Sequence, residues 1–282
     1  MLRNKKLLIG SAVTLTLLGA GIYQLFFSPA PSPARLEYLP VTQTKNINIL
    51  ATAQAGELSA PSVSPSAKDG KIVFTFSGET IGAQPKTFSA AVGNWIIGQD
   101  ADNTVLVVDG RKWKRGIASA GLADKAKALY GKRYAEFLDN VTAYAYYPFA
   151  VAAGIDNFSN GRITVHFKAI AGRIDQGAGI LFDLKPNGDY YALRANPLEN
   201  NLVLWRFKQG RRSSVTWVRS VNTPSRQWHT LTLSVENNKI KGLVNGKHYL
   251  SETLPQAVSG KIGLWTKADS VIYFDDYEVV PR

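Results

Sequence analysis

The sequence predicts an all-β fold, and three features carry that prediction. From Lys71 onward, short apolar runs recur at intervals of about ten residues, with Gly, Asn and Asp between them. Residues 228–235 alternate strictly: His229, Leu231, Leu233 and Val235 share one face and Thr230, Thr232 and Ser234 the other, so one side of that sheet is buried and one is wet. Asn245-Gly246, between two further runs, supplies the positive φ that a two-residue hairpin turn needs. Short strands closed by turns in this rhythm build a β-sandwich or jelly roll rather than an α/β sheet.

The expected strands are 72–77, 105–108, 141–147, 163–170, 180–184, 190–195, 202–207, 215–219, 229–235, 240–244, 261–265 and 271–279. Those from 180 to 207 form an antiparallel meander around which the rest is arranged. Its turns are Pro186-Asn187-Gly188-Asp189 and the Asn-Pro-Leu-Glu-Asn-Asn block at 196–201. A chain of 282 residues that is 45% hydrophobic can bury one full core, so a single globular domain with an N-terminal appendage is expected.

The appendage has two parts. Arg3, Lys5 and Lys6 precede an uncharged run of 21 residues from Leu7 to Phe27, in which Gln24 is the one strongly polar side chain. A helix of that length measures about 31 Å, enough to cross a bilayer. The run is longer than the roughly 7–15 apolar residues of a cleaved signal, and the small residues at Ser32-Pro33-Ala34 are crowded with proline. Residues 1–27 therefore read as a retained signal anchor, a single transmembrane helix. The cations on its leading side put the N-terminus in the cytoplasm and the rest in the periplasm or otherwise outside, at a bacterial inner membrane. Residues 28–70, rich in Pro, Ser and Ala, read as a linker to the sandwich domain at 71–282.

There is no cysteine, which removes disulfides, thiolate metal sites and cysteine nucleophiles. His166, His229 and His248 fall in separate strand-like runs, and no spacing joins them into a zinc site or a catalytic triad. No cofactor is expected. The net charge is +12, yet the export segment argues against nucleic acid as partner. Asp183, Asn187 and Asp189 are loop oxygens of the kind that bind calcium, and equally those of a plain solvated turn.

A resemblance rests on a set of motifs: Phe74, Phe76, Gly82, Pro85, Phe88 and Gly93-Asn94-Trp95; Phe158-Ser159-Asn160-Gly161; Asp175-Gln176-Gly177-Ala178-Gly179-Ile180; Tyr190-Tyr191-Ala192-Leu193-Arg194 running into the block at 196–201; Trp228 and Leu231; and Gly263-Leu264-Trp265 through Phe274-Asp275-Asp276. In these the chain resembles concanavalin A-like lectin/glucanase domains of the bacterial 3-keto-disaccharide hydrolase type, over nearly all of 71–282. The resemblance implies a jelly roll of two curved antiparallel sheets with first and last strands paired, and it implies no particular activity. Catalytic glucanases of this type carry Glu-x-Asp-x-x-Glu on one strand, which is absent here. The nearest carboxylates sharing a face, Asp276 and Glu278, fall on the terminal strand, so a non-enzyme is the expectation.

Against that pattern, residues 110–140 are a basic insertion. Leu122, Ala126, Leu129, Tyr130, Tyr134 and Phe137 fall on one face of an expected amphipathic helix at 123–138. Arg111, Lys112, Lys114, Arg115, Lys125, Lys127, Lys132 and Arg133 stand against Asp124 alone, a net +7 within 111–133. With Trp113, Tyr130 and Tyr134 these cations form a candidate docking surface for anionic lipid or for an acidic membrane-protein partner, and alternatively a merely solvated helix. The leading functional expectation is a membrane-anchored accessory subunit that docks through this insertion. The alternatives are a carbohydrate-binding module of the cell envelope and a glycoside hydrolase-like enzyme related to the keto-disaccharide hydrolases; for the first, Tyr190, Arg194 and Asn196 alternate onto one face, with Trp205 and Trp217 on the next strands, offering flat rings and planar polar groups to a glycan. The same residues also read as core and corner.

Overall fold

The computed structural model describes residues 66–68, 70–112, 129–130, 147–209 and 211–282. Its strands are β1 (Ser66–Lys68), β2 (Lys71–Phe74), β3 (Phe88–Val92), β4 (Trp95–Asp100), β5 (Asn103–Asp109), β6 (Phe149–Ala152), β7 (Gly161–Ala171) and β8 (Ala178–Leu184), followed by β9 (Tyr190–Asn196), β10 (Asn201–Lys208), β11 (Arg211–Arg219), β12 (Trp228–Glu236), β13 (Lys239–Val244), β14 (Lys247–Thr253), β15 (Lys261–Thr266) and β16 (Val271–Pro281). They form two antiparallel sheets. One runs β1-β2-β16-β7-β12-β13-β14, with β5 also on β16 and β4 on β5; the other runs β11-β10-β9-β8-β15-β6-β3. The all-β sandwich is thus as the sequence implies, down to the pairing of an opening strand, β2, with the closing strand, β16.

Strand β12 alternates buried and part-exposed positions along its length, the signature of a sheet with one dry face. The dry faces of both sheets meet in a core where Trp95 stacks on Phe274 at 5.9 Å and Phe74, Phe88 and Tyr277 pack ring to ring. The meander β8-β9-β10 behaves differently: nearly every residue in it is buried, on both faces. A second apolar cluster fills the outer face of the seven-stranded sheet, made by Phe149, Tyr190, Trp205, Phe207 and Trp265 among others. Tyr190 lies flat on Phe207 at 4.3 Å, and Tyr147 on Trp265 at 5.8 Å. Leu129 and Tyr130, helical in backbone, pack against this cluster, with the Tyr130 hydroxyl donating to the Leu184 carbonyl at 3.2 Å. So Leu129 and Tyr130 cover part of the outer face.

Several expectations need correcting or fall elsewhere. The stretch expected as linker contains β1, which pairs with β2. Of the strand expected at 141–147, only Tyr147 is among the described residues, and it lies outside a strand; β6 follows at Phe149, and β3 and β4 fall where no strand is expected. The expected transmembrane span at 7–27, and the expected helix at 123–138 apart from Leu129 and Tyr130, lie outside the described residues. Among the described residues no helix is long and apolar enough to cross a membrane.

Candidate functional site

The site is built on the outer face of β9, β10 and β11. Alternation along β9 puts Tyr190, Ala192, Arg194 and Asn196 on that face, and the register sets Trp205 beside Ala192 and Trp217 beside Val203. The five glycan-binding candidates therefore share one side of one sheet. Burial separates them. Tyr190 is 1% exposed, clamped between Phe149 and Phe207 and accepting a 3.3 Å hydrogen bond from Trp265 Nε1. Trp205 is 7% exposed, because the Arg212 guanidinium lies over its ring at 4.2 Å. Trp217 sits on the edge strand and is 45% exposed, meeting Trp205 edge to face at 5.5 Å.

Arg194 and Asn196 are equally buried, and their role is to hold charge rather than to present it. Asp175, fully buried, accepts from Lys267 Nζ at 2.6 Å and from Asn196 Nδ2 at 2.9 Å, with Arg194 Nη1 at 3.7 Å. On its other side Arg194 Nη2 donates to Glu199 Oε2 at 3.1 Å, which also accepts from Asn201 Nδ2 at 2.8 Å. Two cations thus face two carboxylates, each partly satisfied by an amide, the condition under which buried charge is tolerated. The loop carrying Asp175 is itself fastened by Asp269, whose carboxylate accepts the backbone N–H groups of Arg173, Ile174 and Asp175 at 2.8–3.1 Å. Burial pushes the Glu199 carboxyl up, but hydrogen bonds from Asn201 and the charges of Arg194 and Lys267 outweigh it and hold the group below its ordinary value. Glu199 is anionic at neutral pH.

At the end of this network the surface opens. Glu199, Asn200, Asn201, Trp217, Arg219, Ser220 and Asn222 line a shallow groove of about 620 Å³. The Glu199 side chain is 37% exposed there, and Asn201 Oδ1 is buried without a hydrogen-bond partner among the described residues. The groove therefore offers a flat indole, a carboxylate acceptor and a guanidinium donor within one concavity. Glu199 and Asn201 sit in the 196–201 block and were read from sequence only as turn residues. Arg219 follows Trp217 by two positions, so strand periodicity alone puts it on the same face.

The other candidates are placed as follows. Arg111 chelates Asp109 through Nε and Nη2, both at 2.9 Å, so its charge is paired within the domain. Tyr130 is turned onto the sheet, where burial and nearby Asp156 push its phenol well above the ordinary value. Lys112 closes a 3-10 turn at Gly110–Lys112, and Trp113, Lys114, Arg115, Lys125, Lys127, Lys132, Arg133 and Tyr134 lie outside the described residues. Asp276 occupies a β-bulge at φ 46° and faces His166 Nδ1 at 3.1 Å, while Glu278 pairs with Lys71 at 3.3 Å. The Asp183 carboxylate takes Ser259 N–H at 2.7 Å and Lys185 at 2.8 Å, and Asp189 takes Gln209 N–H at 2.8 Å, so this turn is held by its own donors. Among the described residues no cluster of three or more metal-ligating side chains occurs.

No family model matches the chain, and no curated protein does. Solved structures with a similar fold include a carbohydrate-binding module, CBM66, from Bacillus subtilis (10% identity, 68% of this chain and 95% of that one, TM-score 0.49). They also include a Bacillus licheniformis β-glucanase (10%, 77% and 100%, TM-score 0.44) and a native glycosidic hydrolase (13%, 77% and 98%, TM-score 0.47). These neighbours are of the jelly-roll type that the sequence motifs resemble; they bring no site residue, ligand or activity to this chain.

Proposed function

We propose that the chain is a non-catalytic carbohydrate-binding domain, held outside the cytoplasmic membrane by the apolar segment at 7–27. The observation that carries this reading is Trp217: a large indole left 45% exposed on the edge strand β11, beside an anionic carboxylate and a guanidinium in one groove. A pyranose ring has an apolar face that suits an indole and a rim of hydroxyls that both donate and accept, which Arg219 and Glu199 match. Tyr190, Arg194, Asn196 and Trp205 support the site from below and do not touch the ligand. Catalysis is not part of the reading, since Glu199 is tied to Arg194 and Asn201, and the groove has no second carboxylate among the described residues.

The test is a glycan array followed by calorimetry on the hits. Trp217→Ala is expected to weaken binding by ten- to a hundred-fold, about 1.5–3 kcal/mol of lost apolar contact, with the unfolding temperature little changed because the ring is at the surface. An unaltered affinity in that variant, or silence of the wild type across the array, ends the proposal.

A further inference from the structure

The charges around the groove are lopsided. Between Asn200 and Val235 the chain carries Arg206, Lys208, Arg211, Arg212, Arg219 and Arg226 and not one Asp or Glu. Two of these arginines lie on the outer face of β11, each next to a tryptophan. Arg212, opposite Phe207, covers Trp205 at 4.2 Å and reaches the Tyr147 ring at 5.1 Å. Arg219, opposite Asn201, lines the groove with Trp217. The one acid in that groove, Glu199, is occupied by Arg194 and Asn201. Among the described residues neither Arg212 nor Arg219 forms an ion pair.

From this we propose that the glycan taken by the groove is acidic, a sugar bearing a ring carboxylate, with Arg219 as its counter-ion and Trp217 as its platform. The proposal rests on the carbohydrate-binding reading and specifies its ligand class. A neutral ring laid on Trp217 offers Arg219 hydroxyl acceptors, which compensate the water it loses but leave its charge unbalanced. A uronate supplies two oxygens in the geometry of the guanidinium fork, a charge-assisted pair that a hydroxyl cannot equal. Arg212, about 20 Å further along the same strand face by strand rise, offers a second cation to a chain of such sugars, so affinity should grow with oligomer length.

The test uses the full chain in detergent and four kinds of probe: oligogalacturonates and oligoglucuronates of several lengths, the same oligomers with carboxyls reduced to alcohols, sulfated versions of the reduced oligomers, and an oligodeoxythymidylate of equal charge. The carboxylated oligomers are expected to bind at least tenfold tighter than their reduced counterparts at low salt. Arg219→Gln is expected to abolish that preference, whereas Lys241→Gln, the same charge change on exposed β13 of the other sheet, leaves it intact. If reduced and carboxylated forms bind alike, the acidic ligand is overturned while carbohydrate binding stands. Preference for the sulfated form over the carboxylated one, equal binding of the oligodeoxythymidylate, or an equal effect of Lys241→Gln, also overturns it in favour of general polyanion attraction. If none of the sugars binds, or Trp217→Ala binds them as the wild type does, both readings fall together.

Discussion

Arg194 and Trp217 share a sheet face, and their opposite burial makes opposite predictions. Removing the Arg194 side chain leaves Asp175 with less counter-charge inside the fold, and Arg194→Ala is expected to cost about 3–5 kcal/mol in urea unfolding. Trp217→Ala is expected to change stability by less than about 0.5 kcal/mol, as surface substitutions generally do, and to act on binding instead. Glu199 adds a pH signature. Its folded value is depressed, so its contribution to stability is present above its ordinary value of 4.5 and is lost as pH falls through the folded value. Comparing wild type with Glu199→Gln in acid unfolding, the stability difference should be constant at neutral pH and shrink below about pH 4.5; a difference that grows there would contradict the ion pair with Arg194. At this scale the sequence was half legible. Alternation correctly put Tyr190, Arg194 and Asn196 together, but period two says only which face a residue points to. It does not say whether that face is covered, and here Tyr147, Leu129 and Tyr130 help cover it.

What decides exposure is the position of each strand in the sheet. β9 and β10 are flanked on both sides, whereas β11 is the edge of its sheet, and its residues are mostly exposed. Strand order depends on long-range pairing, which no local pattern encodes. That is why hairpins such as β12-β13 were legible and the exposed edge was not. A register shift between Leu204 and Trp205 in the β10–β11 pairing breaks the regular alternation, so that Trp217 still returns to the outer face opposite Val203. The opposite half of the sheet is built for closeness instead. At Gly263 a Cβ would fall inside contact distance of the Ala150 carbonyl oxygen, so Gly263→Ala must push β6 away from β15. We expect a loss of about 2 kcal/mol or more. Hydrogen exchange should show the β6 and β15 amides unprotected first. Equal protection throughout would mean that the strands accommodate the methyl group without separating.

The molecule as a whole joins a cationic domain, net +12 over the chain, to an uncharged apolar segment, and each offers a different attachment to a bilayer. Cations near anionic headgroups contribute about 1 kcal/mol each and are screened within a Debye length, which is roughly 3 Å at 1 M salt. If the 21 apolar residues from Leu7 to Phe27 span the bilayer as proposed, they would hold the chain irrespective of salt. The arrangement matters for a glycan reader, because a tethered domain meets envelope polymers at high local concentration and needs only modest intrinsic affinity. In cells expressing the full chain, the protein is expected to remain in the membrane pellet after a wash in about 1 M salt and to be released by detergent. External protease acting on spheroplasts should degrade the sandwich domain. Release by salt alone would assign attachment to the surface cations and remove the anchor, and protection from the protease would put the domain on the cytoplasmic side, where envelope glycans are out of its reach.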